Sequence, residues 1–473
     1  MVFIRYKKFG KQYYAYEIQA IWDKEQKKIR QKSVYKGVVV DKEKKIFEKR
    51  RPLLKQEKLI LDFGDSFALK KYLETTSFIG LIQSVFKTDA NFLLTLLFYR
   101  LCYSGAMQHT ASWYAGNYVR VLYPSVVPTS QRISEFFAKI GEETLYRDFF
   151  QEYFKQSSLG KEGIIIDGSS LPNQIHMPFS QWGRSGEEID KQIRFLLVVD
   201  KKTEEPLFFR YVPGSILDVS CLKETLLEMK KFQIKQSSVC IDAGFFSEDN
   251  IKELFVEEID FVTRLPKNRV LYTSLINNER KDLEKSRYGV KYGKRGLFVK
   301  KVKVKLFEKD AWAYIILDPE RKGRETKRLL LEVADETINR EEELDYQLDN
   351  CGIMVLVSSS EIPSKEIVQV YYLRQTVEKL FGFSKEDLEI LPLRVHSEKT
   401  LRGFLLLQFI ALSAFVKIKK ALGEKYSVEE LILIMRNLKC KVFENEMLIQ
   451  ELSKEQKEIM KHLDITVPKS TGI

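Results

Sequence analysis

A chain of 473 residues, 44% of them hydrophobic, can bury sizeable cores and, at roughly 150 residues per domain, divides into about three domains. No apolar run reaches a membrane span, no long apolar segment follows Met1, and the five cysteines form no CxxC pair; this argues against a membrane protein, a signal peptide, a disulfide framework and a zinc site, and predicts a soluble cytoplasmic protein. The net charge of +12 is concentrated: residues 1–58 hold 18 Lys and Arg against 7 Asp and Glu, which points to a polyanion docking there or to a solubilising basic surface.

Residues 1–58 alternate in the strand manner over Val2–Tyr6, Tyr13–Ile18 and Ser33–Val40, with basic and aromatic residues interleaved. A small sheet of this kind can set Lys and Arg on phosphates and Tyr against sugars or bases, or its aromatics can make its own core. Residues 59–158 turn helical, with three- and four-residue apolar spacing over Phe78–Phe86, Ala90–Tyr103 and Gln131–Phe154, the last capped by Thr129-Ser130. This region suits either DNA binding or a plain helical connector.

At Gly163 the pattern changes. Gly163–Asp167 and Ser238–Asp242 are short apolar strands that each end in an aspartate. Between them lie strands Arg194–Val199 and Leu207–Val212 and a helix carrying Leu222, Thr225, Leu226 and Met229. A helix from Ser247 and a strand Phe261–Thr263 complete a mixed α/β core over 159–265. Residues 266–350 read as a β-rich insertion, with runs at Val270–Ser274, Leu297–Leu306 and Trp312–Leu317. The core resumes over 351–425 with the strand Cys351–Val357 and a long buried helix 401–420. A tail, 426–473, carries amphipathic segments Val428–Leu438 and Met447–His462.

After Pro363-Ser364 comes a helical stretch in which Tyr371, Arg374, Glu378 and Lys385 fall within an arc of roughly 60°, with Gly382 a candidate break before Lys385. The row reads either as a solvated Arg–Glu i,i+4 pair or as a metal-binding carboxylate flanked by phosphate-binding groups. The choice turns on whether other carboxylates converge on it. Asp167 and Asp242, at the carboxyl ends of buried strands, are the candidates, since open α/β sheets present ligands there. Two Asp and one Glu can supply the oxygens that a pair of hard divalent ions about 4 Å apart requires.

With these residues in place, the sequence resembles the Asp-Asp-Glu transposases of bacterial insertion sequences, which have an RNase H-like core. It is similar to the branch with a β-rich insertion before the Glu and a Tyr-x2-Arg-x3-Glu-x6-Lys signature, matched by Tyr371, Arg374, Glu378 and Lys385. The resemblance takes in Ile166–Ser170, Pro213–Asp218, Ile241–Phe246 and Leu401–Phe404, and spans about 60–465. It implies that Asp167, Asp242 and Glu378 bind two Mg²⁺ ions, with Mn²⁺ tolerated. Arg374 and Lys385 would hold terminal phosphates, and Tyr371 a phosphate or displaced base. Trp312, the one Trp of 266–350, would hold a flipped base or simply pack. The implied partners are the terminal inverted repeats of the element and its target DNA, with a homodimer in the synaptic complex. A nuclease or resolvase on the same core, and a non-catalytic DNA-binding derivative of a transposase, are the competing readings.

Overall fold

The computed structural model describes residues 2–9, 12–23, 28–48, 59–103, 105–155, 162–173, 175–185, 188–232, 234, 236–334, 341–444 and 446–472. They form two compact units: Met1–Ile60 with Cys440–Gln450 and Pro468–Ile473, and Leu61–Lys439 with Glu451–Val467.

The first unit holds an antiparallel sheet, β1 (Val2–Phe9), β2 (Gln12–Asp23), β3 (Lys28–Asp41) and β4 (Ile46–Glu48), in the order β1-β2-β3-β4. The expected alternation is present, but little of it is buried. Among the described residues of these strands only Ala15, Ile18 and Gly37 are buried, whereas Phe3, Phe9, Tyr13, Trp22 and Tyr35 are exposed. Most of the aromatics therefore do not make a core.

Chain order continues with β5 (Leu59–Asp62) and seven helices: α1 (Gly64–Thr75), α2 (Phe78–Phe86), α3 (Ala90–Cys102), α4 (Thr110–Gly116), α5 (Val119–Leu122), α6 (Ser130–Ile140) and α7 (Glu143–Lys155). Thr129 caps α6, its side chain accepting from the Arg132 amide. The periodic stretch 131–154 is two helices, not one, because the chain turns at Gly141.

The second unit is built on one ten-stranded mixed sheet. Its strands are β6 (Ile164–Pro172), β7 (Gln181–Ser185), β8 (Glu188–Asp200), β9 (Pro206–Pro213), β10 (Ser238–Ile241), β11 (Asp260–Arg264), β12 (Gly289–Tyr292), β13 (Arg295–Leu306), β14 (Lys309–Leu317) and β15 (Ile353–Ser358). They run in the order β12-β13-β14-β15-β11-β10-β6-β8-β7, with β9 on β8; β10 is parallel to β6 and β11, and the other pairings are antiparallel. Helices α8 (Leu222–Lys231) and α9 (Glu248–Val256) join these strands, α9 capped by Ser247.

Residues 266–350 depart from the β-rich expectation in two ways. Val270–Ser274 opens a helix, α10 (Val270–Glu279), which buries Tyr272, Leu275 and Ile276 at i, i+3 and i+4; the helical spacing outweighs its β-prone composition. Helices α11 (Pro319–Ala334) and α12 (Glu341–Asp349) follow, and β12–β14 extend the main sheet through the β14–β15 pairing.

Two helices, α13 (Ile367–Tyr372) and α14 (Gln375–Glu386), lead to α15 (Glu398–Leu422), capped by Ser397. By length and composition α15 could cross a membrane, but 89% of its apolar window is buried within the protein. The tail holds α16 (Val428–Arg436), β16 (Lys439–Val442), β17 (Glu446–Ile449), α17 (Lys454–His462) and β18 (Ser470–Gly472), so Met447 opens a strand and not a helix. All five cysteines are buried thiols; burial pushes Cys221 up to about 11 and Cys240 up to about 12.

Helices α6 and α15 meet where neither can carry a side chain. A Cβ on Gly403 would lie 1.9 Å from the Phe137 carbonyl oxygen, and one on Gly141 1.9 Å from that of Lys399. Gly382, by contrast, stands within α14 with nothing within 4 Å of its missing Cβ. Gly403→Ala should therefore destabilise the protein by about 1–3 kcal/mol through overpacking. Gly382→Ala should stabilise it by up to about 1 kcal/mol through helix propensity. Denaturant midpoints of the two variants test this pair of opposite signs.

Candidate active site

The site begins in the register of two parallel strands. Val239, Cys240 and Ile241 of β10 stand beside Ile164, Ile165 and Ile166 of β6. The next residue on each strand is an aspartate, so Asp242 and Asp167 come level. Asp242 follows the end of β10 as expected. Asp167 lies inside β6, which runs on to Pro172 because β8 continues to pair with it after β10 has ended.

The third carboxylate comes from the helix pair packed on this sheet. Helix α14 buries Val377, Leu380, Phe381 and Ser384, and Phe381 meets Phe195 of β8 edge-on at 6.1 Å. Between α13 and α14 the helix tightens: the Val377 amide reaches the Arg374 carbonyl at 3.0 Å, an i→i+3 bond. Gly382 does not break α14, which carries Lys385 in its last turn.

Arg374 and Tyr371 join the three acids. Arg374 Nη1 donates to Asp167 Oδ2 at 2.7 Å, Nη2 donates to Glu378 Oε1 at 2.7 Å, and Nε lies 3.9 Å from Asp242 Oδ1. The Tyr371 hydroxyl donates to Asp242 Oδ1 at 2.9 Å. Two carboxylates thus hydrogen-bond one planar guanidinium, and the third stands 3.9 Å from it. The structure thus brings together Asp167, Asp242, Glu378, Arg374 and Tyr371.

The charges do not balance. Three acids face one guanidinium, and the Asp167 side chain is only 13% exposed. Burial, opposed by Arg374 and reinforced by Asp242 and Glu378, pushes the Asp167 carboxyl up to about 6. The same carboxylates raise Arg374 further above its ordinary range. Burial and the Asp242 charge raise the Tyr371 phenol, which stays protonated.

The other expected residues are placed differently. Lys385 is half-buried, burial lowers its pKa, and no described carboxylate pairs with it. Trp312 sits on β14 opposite Lys303, with the Lys301 ammonium 5.1 Å from its ring centre, and no described bond joins it to the acids. His176 and His396 are exposed. In the segment Leu401–Phe404, Arg402 donates to the Tyr211 hydroxyl and the Gly141 carbonyl, which is a packing role.

One pair at the back of the site went unread in the sequence. Arg194 binds Asp218 through Nε at 3.1 Å and through Nη2, and donates to Ser170 Oγ at 2.9 Å. A Cβ on Gly168 would lie 2.9 Å from Asp218 Oδ1, and one on Gly244 3.6 Å from Oδ2. Asp218 therefore backs the backbone beside both aspartates. The segment Pro213–Asp218 was the available signal, but not its ion-pair partner.

A sequence model described as the transposase DDE domain matches residues 158–414, from just before β6 into α15. The chain belongs to the DDE transposases. No curated protein matches the sequence. A solved structure similar to this transposase is the cryo-EM structure of the piggyBac transposase synaptic complex with hairpin DNA. The identity is 12% and the TM-score 0.39, over 79% of this chain and 70% of that one. At that level of likeness nothing about the site or its partners follows.

DDE transposases use divalent metal ions, and the donor set here fits such ions chemically. It is all carboxylate oxygen, as hard cations require, and it holds two more negative charges than its one guanidinium offsets. Among the described residues, however, no three His, Cys, Asp or Glu side chains stand gathered closely enough for an ion, because Arg374 occupies the space between them.

The raised Asp167 gives the metal-free transposase a specific pH response. Its folded-state value of about 6, against an ordinary 3.8, means that the fold binds the proton more tightly than the unfolded chain. That contribution to stability is present at low pH and lost as pH rises through the window between those values, a change on the order of 3 kcal/mol. In EDTA, Asp167→Asn should unfold at a higher temperature than the native chain at pH 7.5. The two melting curves should converge towards pH 4.

Proposed function

We propose that this DDE transposase binds the terminal inverted repeats of an insertion sequence, cuts DNA there and joins the freed end to a target. The observation that supports the reading best is the meeting of Asp167, Asp242 and Glu378, from two strands and a helix far apart in the chain, around Arg374. Three carboxylates on one guanidinium leave an excess of two acids, which suits a divalent ligand set.

In this reading Asp167, Asp242 and Glu378 hold two Mg²⁺ ions, which when bound would supply an activated water and a stabilised leaving 3′ oxygen. Arg374 turns from the acids to a terminal phosphate, for which its planar fork is a bidentate donor. Tyr371 keeps Asp242 oriented through its hydroxyl. Lys385, half-buried and without a described anionic partner, meets another phosphate. The basic sheet β1–β4, with Lys8 and Lys42 over the Tyr13 ring and Lys7 over that of Tyr16, docks on flanking duplex. Two copies of the chain would hold the two element ends.

Glu378→Gln keeps the size of the side chain and removes its charge. Nicking of an end fragment in Mg²⁺ should fall by several orders of magnitude, while a gel shift in EDTA stays equal or strengthens slightly as repulsion from phosphate is relieved. Arg374→Ala should weaken both. Near-normal nicking by Glu378→Gln would remove that residue from the metal site and return the row to an ion-paired helix face.

The basic sheet is tested by salt. Lys7, Lys8 and Lys42 changed together to Ala should flatten the slope of log affinity against log salt by about one unit per lost phosphate contact. An unchanged slope would make these lysines a solubilising surface only.

A further inference from the structure

The part of the β7–β8 hairpin that carries Trp182 and Ile189 has no part in the site described above. It carries two of the most exposed apolar side chains in the protein, Trp182 at 61% and Ile189 at 69%. Its root is held tightly. A Cβ on Gly183 would lie 2.2 Å from the Gly214 carbonyl oxygen, and one on Gly214 would lie 2.4 Å and 2.5 Å from the carbonyls of Gln192 and Gln181. Ser215 donates to the Gln181 side chain. The segment Pro213–Gly214–Ser215 thus clamps the hairpin by backbone contact, so Trp182 and Ile189 stand on a fixed base.

Register decides which way these side chains face. Asp167 pairs with Leu197 on β8, and Trp182 pairs with Lys191. Leu197 and Lys191 are six residues apart on one strand, and cross-strand partners share a face. Trp182, Lys191, Arg184 and Ile189 therefore lie on the same face of the sheet as Asp167. Phe195, on that face between them, packs on α14, the helix that carries Glu378. The Lys191 ammonium stands 5.8 Å from the Trp182 ring centre. Asp190 alternates to the other face, so the attraction of Lys191 and Arg184 for phosphate belongs to this one.

We infer that the β7–β8 hairpin is a second DNA contact, on which Trp182 packs against the backbone of the duplex being cut while Arg184 and Lys191 meet its phosphates. The inference rests on the transposase reading above and adds a distance to it. Six residues of strand span about 20 Å. At 3.4 Å per base pair the contact falls about six base pairs from the cleavage point. Charge complementarity and continuity with the face that carries the carboxylates favour DNA over a second copy of the chain.

The test is a gel shift in EDTA on duplexes that carry the DNA flanking the gene and extend either about four or about twelve base pairs past the cleavage point on the hairpin side. Trp182→Ala, a change at an exposed position, should lower affinity about tenfold for the longer duplex and leave the shorter one unchanged. Trp182→Phe should recover most of the loss, and none of these variants should alter the loss of nicking seen in Glu378→Gln. Equal affinity of Trp182→Ala and the native chain for both duplexes would overturn the inference while leaving the transposase reading intact. A change in oligomeric state at unchanged DNA affinity would overturn it in favour of a contact between copies. Failure of the native chain to bind either duplex would overturn the function proposed above, and the hairpin contact with it.

Discussion

The arrangement of the second unit depends on one guanidinium. Asp167, Asp242 and Glu378 repel one another, and a fold that collects them without a cation would leave buried like charge uncompensated. Arg374 supplies the cation from the turn between α13 and α14, 207 residues from its partner Asp167. Its reach explains the tightening of the helix there, which turns Arg374 towards both aspartates while keeping Glu378 within i,i+4 contact. The same residue would serve DNA only by giving up these bonds. In the proposed function, stability without ligand and hold on phosphate would draw on one side chain.

The sheet supplies the other half of the geometry. The parallel register of β6 and β10 makes Asp167 and Asp242 level without any contact between their own side chains, and β8 prolongs β6 past the point where β10 stops. Behind the sheet, Asp218 and Arg194 fill the space that Gly168 and Gly244 leave open. On the far side, the strands of 266–350 join the same sheet through β14 and β15. Their edge ends in Tyr292, stacked on Tyr372 at 5.1 Å, the neighbour of Tyr371.

How much of this the sequence carried depends on the range of each signal. Apolar strands carrying Asp and the caps at Thr129 and Ser247 are local patterns and appear where they were read, although Asp167 lies inside β6 and not at its end. Val270–Ser274 was misread because a five-residue window holds β-prone residues but not the i, i+3, i+4 set that Tyr272, Leu275 and Ile276 complete. Gly382 was overrated as a break, since a solvent-facing glycine costs a helix only about 1 kcal/mol. The seat of Arg374 among the acids, the pair of Arg194 and Asp218, and the face shared by Trp182 and Asp167 are long-range. They follow from strand register, which no single stretch of sequence encodes. Trp312, singled out by its residue type, has the Lys301 ammonium beside its ring.

The burial of every thiol has a practical side. Cys102, Cys221, Cys240, Cys351 and Cys440 are all enclosed, and the raised pKa values of the first three keep them protonated at neutral pH. A maleimide reacts with an accessible thiolate, so the natural chain is nearly silent to such dyes. One cysteine introduced on an exposed strand position would be the single reactive handle on the molecule. A fluorophore or spin label could be attached there without first stripping out the native cysteines, and distances to labelled DNA could be read from an otherwise unaltered protein.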